Sequence, residues 1–121
     1  MGALLVGLER HDRELRAGAG HPLLGTGSVH ASLIAGGQEL SSYPEHCRLE
    51  IERRTIPGED ADLIERQVRA LIAAASAADP ALRATLTRGL VRDPYEIAPD
   101  APIVAAVRRH AAAALGREPS H

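Results

Sequence analysis

The chain has 121 residues, a formal net charge of −2, and fourteen arginines but no lysine against 16 acidic residues, a balance that gives no basic surface for nucleic acid. Two tyrosines are the only aromatics, too few for base stacking, and the single cysteine, Cys47, excludes an internal disulfide and fits a reducing compartment. Apolar runs are interrupted well short of the roughly 18 residues that a membrane span needs, and Met1 to Leu8 lacks the basic start of a signal peptide. One ordinary cytoplasmic globular domain at most is the expectation, with no nucleic acid and no membrane as partner.

In chain order, Ala3 to Arg16 reads as an amphipathic helix. Leu4, Leu5, Leu8 and Leu15 share one face, and Glu9, Arg10, Asp12, Arg13 and Arg16 cover the other. Gly18 and Gly20 end it, and His21-Pro22-Leu23-Leu24-Gly25 forms a polar turn. A strand follows from about Thr26 to Ala35, with Val29, Ala31, Leu33 and Ala35 on one face and Ser28, His30, Ser32 and Ile34 on the other. Gly36-Gly37 breaks it, and Ser41-Ser42-Tyr43-Pro44 makes a loop.

Glu45 to Ile56 is the clearest strand. Cys47, Leu49 and Ile51 point one way; Arg48, Glu50, Glu52 and Arg54 point the other, the signature of an antiparallel sheet covered on one face. Pro57-Gly58-Glu59-Asp60 opens a helix to about Ala77, with acidic groups at its positive end and a buried stripe of Leu63, Ile64, Val68, Leu71, Ile72 and Ala75. After Asp79-Pro80 a third strand is expected from Leu82 to Leu90, with Leu82, Ala84 and Leu86 opposite Arg83, Thr85 and Thr87. A Pro-rich connector from Asp93 to Asp100 leads to an Ala-rich last helix, with Asp100 as cap, Pro102 in the first turn and Gly116 after the end.

The order helix, strand, strand, helix, strand is that of an α+β, ferredoxin-like split βαβ unit without its leading strand. That strand would lie in the sheet interior, between Leu82–Leu90 and Glu45–Ile56. Residues 1–92 then form one N-terminally truncated domain, and 93–121 begin another.

The run Leu33-Ile34-Ala35-Gly36-Gly37-Gln38-Glu39-Leu40-Ser41-Ser42-Tyr43-Pro44-Glu45 precedes Cys47 and Glu52-Arg53-Arg54-Thr55-Ile56-Pro57-Gly58-Glu59. Together these resemble the lid and dimerisation domain of zinc-dependent amidohydrolases of the acetylornithine deacetylase and succinyl-diaminopimelate desuccinylase type. His21-Pro22-Leu23-Leu24-Gly25 resembles the family's approach to the lid, and Ala98-Pro99-Asp100-Ala101-Pro102-Ile103-Val104 its return into the catalytic domain. The resemblance implies a fragment of an enzyme that hydrolyses N-acyl amino acids or small peptides. It also implies a homodimer through the lid sheet, and two zinc (or cobalt) ions held by a catalytic domain outside this segment. None of the family's metal-ligand motifs matches here, and Ser41 stands where the family usually has an asparagine.

Arg54 is the leading substrate-binding candidate, because the resemblance places it where a guanidinium takes a substrate carboxylate; an ion pair with Glu52 or Glu50 is the plainer reading. Ser41 and Tyr43 are candidates to line the mouth of a neighbouring site, and Gly37 either approaches a ligand or makes a turn. His11, His21, His30, His46, His110 and His121 are scattered, without the spacing of a metal site; His30 sits mid-strand on the polar face. Cys47 reads as a small core residue, not a nucleophile. No catalytic residue and no metal ligand is expected in the chain itself. The alternative is a ferredoxin-like regulatory domain that binds a small molecule and dimerises without chemistry.

Overall fold

The computed structural model describes residues 1–119; His121 lies outside them. Five elements follow one another: α1 (Gly2–Ala17), β1 (Ser28–Gly36), β2 (Cys47–Arg54), α2 (Ala61–Ala78) and α3 (Pro102–Leu115). The fold is α+β, with β1 and β2 antiparallel, consistent with a ferredoxin-like split βαβ layout. No helix of the described residues is long and apolar enough to cross a membrane.

α1 turns its leucine stripe inward. Leu8 is buried, and Gly7 lets α2 come close enough that a Cβ there would lie 3.6 Å from the Leu71 side chain. α2 starts where Asp60 accepts a hydrogen bond from Leu63 N at 2.6 Å, a side-chain cap that satisfies one of the four free amides of the first turn. Of its expected stripe, Leu71 lies beside α1 at Gly7, Ile64 and Val68 face β2 and residues 86–94, and Ala75 is buried. The substantial packing joins β1 to β2, α1 to β1 and α1 to α2. α3 stands outside that set and has no buried residue. It begins after Ala101 rather than at an Asp100 cap, because Pro102 needs no amide partner at the first position, and it ends on Gly116 at φ +68°.

Three further expectations are corrected by the packing of these elements. Asp12 does not belong to the outer cover of α1: it is part-buried and accepts Val29 N at 2.9 Å and Arg16 Nε at 2.6 Å, tying α1 to the start of β1. The even alternation along β1 is interrupted by a register shift between Ala31 and Leu33. Val29 and Ala31 oppose Arg53 and Ile51, whereas beyond Ser32 it is Ile34 that opposes Leu49, and Leu33 opposes Glu50. One extra residue inverts the alternation, so Leu33 and Ala35 leave the face that Val29 occupies.

The third correction concerns Leu82–Leu90, which forms no β-ladder. Its side chains nevertheless alternate: Leu82, Ala84 and Leu86 are half-buried, and Arg83, Thr85 and Thr87 are exposed. Arg88 holds the segment against α2, with Nη2 2.6 Å from Asp62 Oδ1 and 2.5 Å from Glu65 Oε2. The segment has the side-chain parity of a strand without a strand beside it.

Candidate functional site

The hairpin carries the candidate residues at its two ends. At the closed end, Gly37 adopts φ +91°, a left-handed conformation that suits a glycine at the turn. Gly36 brings the two strands close: a Cβ there would meet His46 O at 2.8 Å. Ser41 and Tyr43 project into solvent from the loop that follows. The loop is braced from within, since Ser42 donates to Glu39 at 2.5 Å, and the Ser42 and Ser41 hydroxyls hold the Glu39 carboxyl below its ordinary range.

At the open end, Arg54 lies on the outward face opposite Ser28, next to the His30–Glu52 pair. Its Nε donates to Glu52 Oε1 at 3.3 Å, and its side chain is 67% exposed. The plain ion-pair contact is therefore present, made by an arginine still open to solvent. Seven residue steps separate Cys47 from Arg54, about 23 Å along a strand, so one chain does not bring Arg54 together with Ser41, Tyr43 and Gly37.

Arg53, which the sequence reading passes over, is the buried arginine of this pair. It continues the inward row of Leu49 and Ile51, and its side chain is 5% exposed. Nη2 lies 2.5 Å from Glu59 Oε1, and Nη1 donates to the Arg54 carbonyl. The second oxygen of Glu59 accepts Ile56 N at 3.0 Å. Gly58, at φ +91°, turns the chain so that Glu59 reaches back. The Arg-Arg-x-x-Pro-Gly-Glu run is thus a closed clamp between the end of β2 and the start of α2. Parity gives the signal for it: counting inward from Cys47 by twos reaches Arg53, not Arg54.

Cys47 is exposed at the strand end rather than in the core, because the hairpin extends past α1, the helix that packs on β1. His21 ties the first turn to the connector: its Nε2 is 2.8 Å from Glu96 Oε1, and its Nδ1 accepts Leu23 N and Leu24 N at 3.2 Å. Among the described residues, no group of three or more His, Cys, Asp or Glu side chains is placed to hold a metal ion.

Comparison with protein-family models matches residues 4–80, from α1 through α2, to the peptidase dimerisation domain of the M20 peptidases, and the chain belongs to that family. A dimerisation domain implies homodimer formation. No curated protein and no solved structure matches the chain.

Proposed function

We propose that this domain serves as the substrate lid and dimerisation unit of a metal-dependent hydrolase acting on N-acyl amino acids or small peptides, of the acetylornithine deacetylase and succinyl-diaminopimelate desuccinylase type. The family match over residues 4–80 carries the reading. The zinc or cobalt ions belong to a separate catalytic domain, with α3 as the first helix on the way into it. A lid acts there by excluding water and completing the site.

The outer edge of β1 supports pairing through the sheet. Leu33 and Ile34 are 62% and 57% exposed on it, an apolar strand edge that a two-fold partner would cover. Antiparallel pairing of two β1 edges sets the loop of one protomer at the open end of the other. It would therefore bring Ser41 and Tyr43 towards the partner copy's arginine, which no single chain does. A guanidinium there suits a substrate carboxylate.

The test is kinetic and uses the parent enzyme, with the reading frame extended in both directions. With zinc or cobalt and a panel of N-acetyl and N-succinyl amino acids, Arg54→Ala should raise KM for substrates with a free carboxylate. Absence of chelator-sensitive turnover across the panel would overturn the hydrolase reading.

A further inference from the structure

His21 joins two segments that lie 75 residues apart in the chain. Its Nδ1 accepts the amides of Leu23 and Leu24, each at 3.2 Å. These sit inside a turn that His21 and Gly25 close in both directions, backbone N to O, at 2.8 and 2.9 Å. Its Nε2 lies 2.8 Å from Glu96 Oε1 in the connector, and the His21 side chain is only 16% exposed. The two sets of contacts depend on each other. A ring nitrogen that accepts two N–H donors carries no proton, so the proton of the imidazole sits on Nε2 and points at Glu96. The turn thus decides which nitrogen donates, and that donor meets a carboxylate, a stronger acceptor than a neutral carbonyl.

The bond falls where packing gives the chain least support. Tyr95 to Asp100 are exposed, and α3, into which they lead, has no buried residue. Upstream, Arg88 already holds the chain against α2 through Asp62 and Glu65. Downstream, Ala98 O accepts Ala101 N at 2.9 Å in a local turn, and Pro99 and Pro102 stiffen the backbone around it.

We propose that His21 is a positioning residue that pins the connector, at Glu96, to the turn ahead of β1. α3 then leaves the domain in one direction, and the joint between the two is confined to Ile97–Ala101. A rigid ring with a nitrogen on each side does what a shorter amide cannot: one edge holds the turn while the other reaches the connector. The inference rests on contacts within this chain and stands apart from the hydrolase reading; in a lid, the same joint sets the axis on which the domain swings.

The test is limited proteolysis of the full 121-residue chain. Its two aromatic residues are both open to chymotrypsin: Tyr95 in the connector is 81% exposed, and Tyr43 in the hairpin loop is 101% exposed. Cleavage after Tyr95 reads the pinned segment, and cleavage after Tyr43 is the internal control. Glu96→Ala should quicken cleavage after Tyr95 about fivefold, the scale of one partly exposed charged contact, and leave Tyr43 unchanged. Glu96→Gln, whose amide oxygen still accepts from Nε2, should restore most of the protection. His21→Asn can hold the turn amides but does not reach Glu96, so it should match Glu96→Ala. Imidazole nitrogen signals of the isotope-labelled chain, at mildly alkaline pH, should show the Nε2–H tautomer of His21 in the parent and in Glu96→Ala alike, because the turn fixes it. Equal cleavage after Tyr95 in the parent and Glu96→Ala, a Gln variant as fast as the Ala one, or a His21 ring protonated on Nδ1 would overturn the proposal.

Discussion

Arg53 and Glu59 clamp the turn between β2 and α2, with Nη2 of the one 2.5 Å from Oε1 of the other and the second Glu59 oxygen on the Ile56 amide. The pair is largely buried, its side chains 5% and 16% exposed. Removing one member leaves the other charged and desolvated. Glu59→Ala and Arg53→Ala should therefore each cost about 3 kcal/mol or more. Arg54→Ala, which breaks an exposed contact to Glu52, should cost less than about 1 kcal/mol. Urea midpoints of the three variants measure the contrast, and equal losses would contradict the clamp.

Gly27 is the steric counterpart of that clamp. A Cβ at this position would run into the Arg53 guanidinium and lie 2.9 Å from the Arg54 carbonyl, whereas at Gly89 it would meet nothing within 4 Å. Gly27→Ala should destabilise by about 1–3 kcal/mol, because backbone and a buried side chain must both shift. Gly89→Ala should be close to neutral. Thermal melts of the two alanine variants side by side decide this.

Asp12 makes stability depend on acid. The Arg16 guanidinium, and then the Val29 amide, hold its carboxyl below the ordinary value of 3.8. The folded form is thus the weaker base, and its stabilising effect is complete above the unfolded value and lost as pH falls through the depressed folded one. Unfolding midpoints should drop below about pH 4 in the parent chain. The drop should be smaller in Asp12→Asn, which starts from a lower midpoint at neutral pH. An identical acid profile for the two proteins would rule out Asp12 as a contributor.

Association should run through β1. The described core is thin, with Leu8, Val29 and Ala75 as its buried apolar residues, so a second copy adds burial that the monomer lacks. Light scattering across a dilution series should show a dimer that Leu33→Glu weakens without unfolding the chain, and that Ile34→Pro abolishes by breaking strand pairing. A well-folded monomer at micromolar concentration, unchanged by either substitution, would exclude the β1 edge.

The two helices that pack together were readable because each carries a continuous apolar stripe at helical spacing, Leu4 to Leu15 in one and Leu63 to Ala75 in the other. β2 was readable because every second residue from Arg48 is charged. Of the candidate site, Gly37 was legible as a turn glycine, and Arg54 was placed correctly on the outward face. Arg53 was available from the same parity but masked by its neighbour, since two adjacent arginines look alike until one is seen to lie inside. The bulge at Ser32 left no mark, because an inserted residue changes which side chains face inward without changing their kinds.

Local residue order therefore settled where the chain turns, which segments are helical and which side of the two packed helices and of β2 is apolar, for these follow from backbone propensity and the spacing of neighbours. Relations between segments were settled by the assembled fold. A ladder needs a second backbone alongside, so Leu82–Leu90 has strand parity and no strand. Asp12 joins β1 because packing α1 against it leaves the Val29 amide in need of an acceptor. The separation of Arg54 from the Ser41–Tyr43 loop likewise belongs to the hairpin's length and direction, which appear only when the two strands are paired.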